Sequence, residues 1–366
     1  MDTSVLTAEP LLWLGGAAPG GLLLPSARPN RVNMYAPRGV YVDDECLVVA
    51  DSGNHRVLIW HGWPLGDHGP ADVVLGQPDF AAEGPKLFHL PTGVAVIEGQ
   101  LWVADAWHHR LLVWERLPTK NNQPPDRVLG QPDLAGTAAN RGGPVSPFGF
   151  FWPYSFGYVN GWFYVADTGN RRVLGWRGLP EDGRPPDVVL GQSDGYQHGE
   201  NRDRGVGPDT YRWPHSVAGD GESLFVADAG NHRVLGYTPP PAADRPADAV
   251  LGQAGFTSAF ELPHVPQGPR RLRFPYALAL SEGVLAVADT ANNRVLLFDG
   301  PPRRGAGHAA TAVIGQDDFS ASGENRWQSV DRHGLCWPYG LCFHRQWLAI
   351  ADSGNNRVMI WRIART

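Results

Sequence analysis

Short apolar runs alternate with clusters of Gly, Pro, Asp and Asn along almost the whole chain. In the first clear unit the apolar runs are 39–43, 47–50, 56–60 and 72–77, and polar turn residues separate them. Short runs rich in Val, Leu, Ile and aromatic residues, bounded by turn formers, are typical of β-strands. Each unit therefore predicts four short antiparallel strands joined by tight connections.

The phrase Val48-Val-Ala-Asp51-Ser-Gly-Asn54-His-Arg56-Val-Leu58 recurs six times, at a period of about 60 residues. Every copy holds an aspartate and, five residues later, an arginine. The pairs are Asp51 and Arg56, Asp105 and Arg110, Asp167 and Arg172, Asp228 and Arg233, Asp289 and Arg294, and Asp352 and Arg357. A residue found at one place in all six units serves the unit itself, so we expect these pairs to be structural. The intervening Gly and Asn are expected to supply the positive φ of the turn.

Six four-stranded units predict an all-β fold, a six-bladed β-propeller whose ring leaves few exposed sheet edges. The last unit lacks the Val-Leu-Gly-Gln strand that ends every earlier unit, and a similar run, residues 11–15, stands near the N-terminus. We therefore expect residues 11–15 to be the outer strand of the sixth blade. We also expect residues 1–366 to form a single propeller domain. Its blades open near Pro37, Pro91, Pro153, Pro214, Pro275 and Pro338.

The repeated Pro-x-Gly/Ser-Val opening, the Val-Ala-Asp-x-Gly-Asn-x-Arg-Val phrase and the closing Leu75-Gly-Gln-Pro-Asp-Phe80 resemble the bacterial NHL-repeat six-bladed propellers. The resemblance covers residues 9–363. It implies a propeller fold but little about function, because propellers of this kind include protein-interaction platforms, RNA-binding domains and a few lyases and hydrolases.

Composition and charge narrow the classes of function. The chain has a net charge of -6, and the acidic and basic residues of its long loops are interleaved, whereas a phosphate-binding face needs an excess of positive charge. A nucleic-acid partner is therefore not expected. No run of 18 apolar residues occurs and the N-terminal stretch lacks the basic start of a signal peptide, so neither a membrane span nor secretion is predicted.

The three cysteines, Cys46, Cys336 and Cys342, leave an odd thiol and no repeated bridge. This usage fits a reducing compartment, and we expect a soluble cytoplasmic protein. A redox or metal role for Cys336 and Cys342, which lie six residues apart, is an alternative to ordinary buried thiols.

The position after each blade-opening proline breaks the symmetry of the repeat. In a propeller the innermost strands line the central channel, so these side chains converge on one axial opening. They are Arg38, Thr92, Tyr154, His215, Tyr276 and Tyr339. A guanidinium, an imidazole and three phenols in an apolar scaffold predict a ligand-binding site. The alternative is that the tyrosines plug the channel and bond to the backbone.

One copy of the turn also departs from the repeat, because Trp107 and His108 replace its Gly and Asn. Both residues are candidates for ligand binding, and the alternative, which the sequence favours, is a loop that packs an aromatic residue against its neighbour. The long connections between blades are expected on the same face as the axial opening, where loops commonly carry function. Four of these connections contain an Asn-Arg pair, at 30–31, 140–141, 201–202 and 325–326, and this recurrence suggests loop packing first and ligand contact second.

The sequence thus predicts a rigid interaction platform that binds a protein, a peptide or a small ligand on the long-looped face. The alternative is a metal-independent lyase or hydrolase, with His215 and a tyrosine as acid and base and Arg38 holding an anion. The resemblance extends to some NHL-type lyases that hold zinc through histidines at this position after the proline, but these six positions include one histidine, whereas a catalytic zinc usually needs three protein ligands. No metal or other cofactor is expected.

Overall fold

The computed structural model describes residues 5–366 and arranges them in a ring of six four-stranded antiparallel sheets. Within these residues the ring contains 24 strands and no α-helix. Blade 1 consists of β2 (Gly39–Val42), β3 (Cys46–Asp51), β4 (Arg56–His61) and β5 (Val73–Leu75). Blade 2 consists of β6 (Val94–Ile97), β7 (Gln100–Asp105), β8 (Arg110–Trp114) and β9 (Arg127–Leu129). Blade 3 consists of β10 (Pro153–Val159), β11 (Trp162–Asp167), β12 (Arg172–Arg177) and β13 (Val188–Leu190).

The remaining blades follow the same order from the innermost strand outward. Blade 4 consists of β14 (Pro214–Gly219), β15 (Leu224–Asp228), β16 (Arg233–Tyr237) and β17 (Ala249–Leu251). Blade 5 consists of β18 (Pro275–Ser281), β19 (Val284–Asp289), β20 (Arg294–Asp299) and β21 (Ala312–Ile314). Blade 6 consists of β22 (Pro338–His344), β23 (Trp347–Asp352), β24 (Arg357–Arg365) and β1 (Leu6–Gly15).

The two ends of the described chain close the ring, as the sequence predicted. Strand β1 pairs with β24 in antiparallel register, from Leu6 opposite Arg365 to Gly15 opposite Arg357. It begins five residues before the predicted strand because it continues through Pro10, where the register shifts. Proline lacks an N–H for the ladder, so a bulge is where a strand accommodates it. Residues 1–4, which the predicted domain also includes, lie outside the described residues.

The hydrophobic core is divided among the blade interfaces. Six clusters of buried apolar side chains occur within residues 5–366, each formed by two neighbouring blades. The cluster between blades 6 and 1, for example, joins Leu14, Val40 and Val358. Because every blade buries both faces, the strands read as nearly continuous apolar runs.

The six Asp-Arg turns hold the blades and the long loops together. Asp51 Oδ1 accepts the Tyr35 N–H at 2.6 Å, and its Oδ2 accepts from Asn54 and from Arg56 Nε. The other guanidinium nitrogens of Arg56 donate to main-chain carbonyls of both adjoining loops, at Phe80, Asn30 and Asn33. The equivalent aspartates and arginines of the other blades are also buried and paired. A buried arginine whose donors are satisfied in this way holds the turn and the adjoining loops together.

The positive φ of each turn lies one residue later than we expected. It falls on the residue after the short 3-10 turn and not on the Gly or Asn. These residues are His55, His109, Arg171, His232, Asn293 and Asn356, all with φ between 52° and 58°. The glycine is needed for space, since a Cβ on Gly53 would lie 2.5 Å from the Tyr35 ring.

The long connections pack on the face that carries these turns. The amide of Gln77 donates to the turn carbonyl of His55 and to Gly84 within its own loop. Three of the Asn-Arg pairs place their asparagine against the asparagine of a turn: Asn140 with Asn170, Asn201 with Asn231, and Asn325 with Asn355. Asn30 instead accepts N–H groups within its own loop. Among residues 5–366 no helix has the length and apolar character needed to cross a membrane.

Candidate functional site

Five of the six residues that follow the blade-opening prolines meet at the mouth of the central channel. Tyr154 and His215 are 4.4 Å apart between ring centroids, and His215 stacks on Tyr276 at 4.3 Å with an angle of 4°. Tyr276 is 4.9 Å from Tyr339, over whose ring the Arg38 guanidinium lies at 5.0 Å. The sixth, Thr92, is buried below the mouth and donates its hydroxyl to the carbonyl of Tyr154 at 2.5 Å.

These side chains separate two cavities. The outer cavity has a volume of about 330 Å³ and opens on the long-looped face. The inner cavity has a volume of about 150 Å³ and is lined by the innermost strands. Both cavities contact Arg38, Tyr154, Tyr276 and Tyr339, and only the inner one contacts Thr92. The side chains that follow the blade-opening prolines therefore form the floor of the outer cavity.

His215 lies in the middle of the stack and is held as a neutral imidazole. It is 7% exposed, and its Nδ1 donates to the Trp213 carbonyl at 2.9 Å. Burial lowers the pKa of His215 to about 4. Burial also raises the pKa of Tyr276 to about 12 and raises that of Tyr154. Near neutral pH these groups neither gain nor lose a proton, so they add polarity to the floor but no charge.

Arg38 brings a positive charge to the mouth. Among the described residues no carboxylate pairs with it, and its guanidinium lies over the rings of Tyr339 and Trp107, the latter at 5.5 Å. The neighbouring Tyr154 phenol raises the pKa of Arg38, so the group stays charged. The Tyr154 hydroxyl is itself buried and interacts with the Arg38 guanidinium, so it is not open to the outer cavity. The Arg38 guanidinium is thus the charged donor that the floor offers to an anion in the cavity.

A rim of large aromatic residues surrounds the outer cavity. Trp107, Trp152 and Trp213 line it together with the ring residues. Trp107 is 5.6 Å from Trp152 between ring centroids, and Trp213 stacks on Phe274 at 6.2 Å. Trp107 therefore lies at the predicted site.

The sequence analysis missed Trp152 and Trp213, although a signal for them exists. They directly precede blade-opening prolines, and the residues at this position are Ala36, Leu90, Trp152, Trp213, Phe274 and Trp337. The residues after the prolines were selected because they differ from blade to blade, and the same criterion would have selected the residues before the prolines. Four consecutive blades carry an aromatic residue there, and blades 1 and 2 do not.

Contacts between neighbouring blades fix the rim. Five of the six residues before the prolines have a positive φ, which is uncommon outside glycine. In each of these the N–H donates to the turn residue of the preceding blade, as Trp152 does to His109 Nδ1 at 3.1 Å and Trp337 to Asn293 Oδ1 at 2.9 Å. Blade 4 is the exception. The turn residue of the preceding blade is Arg171, whose side chain has no acceptor atom, so the Trp213 N–H donates to Asp228 and Trp213 has no positive φ. The turns therefore set the direction of the rim residues.

His108 lies away from the cavity. Its Nδ1 is 2.9 Å from Asp105 Oδ2, the contact that an asparagine amide makes in the other five blades. In this structure His108 therefore completes its turn. The three cysteines are free, and burial raises the pKa of Cys342 to about 11 and raises those of Cys46 and Cys336. Within residues 5–366 no three His, Cys, Asp or Glu side chains lie close enough to hold a metal ion.

Comparison with known proteins identifies the repeat. Residues 88–114 match the family model of the NHL repeat. No curated protein matches the sequence.

Solved structures share the fold at low identity. A protein of unknown function from Bacteroides thetaiotaomicron is similar over 99% of this chain and 76% of its own, with 12% identity and a TM-score of 0.52. Hydrazine synthase from Kuenenia stuttgartiensis is similar over 92% of this chain and 97% of its own, with 12% identity and a TM-score of 0.51. Likeness at this identity concerns the fold alone. The chain is a six-bladed β-propeller that carries an NHL repeat in its second blade.

Proposed function

We propose that the protein is a rigid binding platform for a protein, a peptide or a small ligand, which contacts the long-looped face at the mouth of the channel. The observation that supports this most is the outer cavity, where aromatic walls surround the Arg38 guanidinium, with which no carboxylate of residues 5–366 pairs. Ligand sites are typically concave and mostly apolar, with a few placed polar groups.

The rigidity of the rim supports binding. Trp152 is held by a hydrogen bond to the preceding blade, and Thr168 Oγ1 donates to the Pro214 carbonyl of the following blade at 2.5 Å. A surface that is ordered before it binds loses less conformational entropy on binding. We also infer that the whole chain works as one domain, because its ends share blade 6.

The alternative enzyme is less well supported by the electrostatics. A general acid or base works best with a pKa near the working pH. The pKa of His215 is lowered to about 4 and that of Tyr276 is raised to about 12, both because the groups are buried. Neither group is suited to proton transfer near neutral pH.

Several arginines of the long loops already have acidic partners, which argues against a nucleic-acid ligand. Arg202 contacts Asp209 at 3.1 Å, and Arg273 contacts Glu261 at 2.8 Å. Paired arginines have little charge left to displace the counterions of a phosphate backbone. The three free thiols fit a protein of the cytoplasm, which we propose as its location.

The test is affinity capture of a partner from an extract of the source organism, followed by mass spectrometry. The native protein is compared with the variant Trp107→Ala/Trp152→Ala and with the control Trp327→Ala, which removes an aromatic residue that is 83% exposed and does not line the cavity. We expect the rim variant to lose a stoichiometric protein or small molecule that the control retains. Equal capture by all three proteins would contradict the proposed site.

A further inference from the structure

We propose that the mouth of the channel recognises a carboxylate group joined to an apolar or aromatic body, with Arg38 as its anchor. This inference rests on the proposed function and names the chemical class of the ligand. It applies equally to a free carboxylic acid and to the C-terminal carboxylate of a peptide.

The Arg38 guanidinium is a charged donor of the floor that, among the described residues, has no anionic acceptor. Within residues 5–366 no carboxylate pairs with Arg38, which lies over the rings of Tyr339 and Trp107 and beside the buried Tyr154 hydroxyl. The six arginines of the turns, by contrast, are each paired with an aspartate at 2.6–3.0 Å. A carboxylate in the outer cavity would give the half-buried Arg38 guanidinium the anionic partner that each turn arginine has.

The charge of the site favours a carboxylate over a phosphate. Arg38 supplies one positive charge, while the other polar ring residue that could become cationic, His215, stays neutral because it is buried. One guanidinium matches the single charge and the two oxygens of a carboxylate in a bidentate pair. A phosphate monoester carries nearly two negative charges at neutral pH and would remain partly unbalanced.

The walls and the volume define the rest of the ligand. Trp107, Trp152 and Trp213 offer ring faces around the carboxylate position. At about 330 Å³ the cavity is at the lower end of the range for ligand sites, so it holds one ring or short chain and not a large molecule. The ligand class is therefore an arylalkyl carboxylate or the last residue of a peptide.

The experiment is a calorimetric titration of the full chain with matched probes. The probes are 3-phenylpropionate, its neutral amide, phenyl phosphate, and a peptide ending in phenylalanine with a free or an amidated C-terminus. We expect each carboxylate to bind about tenfold or more tightly than its amide, because a hydrogen-bonded ion pair is lost in the amide. Tighter binding of the free peptide than of 3-phenylpropionate would identify a peptide as the source.

Variants locate the site. Arg38→Gln should weaken carboxylate binding about tenfold or more, and Arg38→Lys should weaken it less. Arg270→Gln removes the same charge from an exposed residue of the same face that does not line the cavity, and it should leave binding unchanged. Melting curves of all variants verify that they are folded.

The proposal is overturned if carboxylate and amide bind alike, if neither binds, if phenyl phosphate binds more tightly, or if Arg38→Gln binds like the native chain. Partner capture that depends on Trp107 and Trp152 would survive each of these results, so the platform proposal can stand when the carboxylate proposal fails. Carboxylate binding that depends on Arg38, together with partner capture that does not depend on Trp107 and Trp152, would instead support the carboxylate site and contradict the platform proposal.

Discussion

Arg56 and Arg38 lie on the same blade and the same face of the ring, but their guanidinium groups have opposite surroundings. Arg56 is fully buried, pairs with Asp51 at 2.6 Å and donates to three main-chain carbonyls. Arg38 is half-buried, lies between aromatic rings and has no acidic partner among the described residues. The first residue recurs in every blade and the second occurs once. The satisfied arginine holds the ring together, and the unsatisfied one is free to bind a ligand.

This comparison divides the molecule into a repeated scaffold and a mouth that differs from blade to blade. Changes in the scaffold should reduce the stability of the whole ring. Changes in the mouth should affect binding and leave stability nearly unchanged, because few protein groups depend on its side chains.

The largest effect is expected from opening the ring. A chain that starts at Gly16 loses β1, which buries Leu6, Leu12, Trp13 and Leu14. At about 1.5–3 kcal/mol for each large apolar side chain, the loss is about 6–12 kcal/mol, which is comparable with the stability of an ordinary domain. Thermal melting followed by circular dichroism measures it. The control Leu11→Ser changes a half-exposed residue of the same strand and should melt like the native chain; equal melting of the truncated chain would contradict closure by β1.

A smaller but still large effect is expected in an Asp-Arg turn. Arg172→Met leaves Asp167 buried without its partner and removes donors from the carbonyls of Gly195, Ser146 and Gly149. Breaking a buried pair from one side costs about 3–5 kcal/mol. Urea unfolding of Arg172→Met and Arg38→Met, which carry the same substitution, tests the comparison directly. We expect Arg38→Met to stay within about 1 kcal/mol of the native chain, and similar losses in both variants would remove the distinction.

The smallest effect is a pH dependence of the stability of the ring, which arises at hydrogen bonds between neighbouring blades. His55, His109 and His232 accept main-chain N–H groups through Nδ1. Burial lowers the pKa of each, to about 4 for His109, below the value of 6.5 for an unfolded histidine. The unfolded chain therefore takes up these protons first, so the stabilisation is complete above pH 6.5 and declines as the pH falls towards 4.

The matched variant replaces all three histidines with asparagine, which accepts the same N–H in blades 5 and 6 without titrating. Between pH 7 and pH 5 we expect the melting temperature of the native chain to fall more than that of the variant. An equal fall of the melting temperature in both proteins would show that protonation of these histidines does not weaken the contacts between blades.

Much of the fold could be predicted from the sequence because the repeat is local. The Asp-x-Gly-Asn-x-Arg phrase and the four apolar runs gave the number of strands, and the missing last strand gave the closure. The start of β1 at Leu6 could not be predicted, because Pro10 reads as the end of a strand and only pairing with β24 carries the strand through it.

The site was predicted in part. The residue after each proline pointed to Arg38, Tyr154, His215, Tyr276 and Tyr339, which the structure brings together at the mouth. The same position in blade 2 gave Thr92, whose short side chain reaches only the backbone of the next blade. The rim tryptophans differ from blade to blade in the sequence, but their direction depends on hydrogen bonds between blades, which join residues about 40 positions apart. The equivalence of His108 with asparagine depends on the contact of its imidazole with Asp105 of the same turn.

The sequence by itself determined the repeated unit, the number of blades and the set of side chains at the channel, because each follows from a local pattern and from counting copies. Only the tertiary structure decided which of those side chains are free. Whether an arginine finds a carboxylate, whether a tyrosine hydroxyl is buried, and whether a tryptophan turns towards the axis depend on the groups that neighbouring blades bring close to it. Desolvation and hydrogen bonding are properties of the assembled surroundings, so the same residue type is a structural tie at Arg56 and a candidate anchor at Arg38.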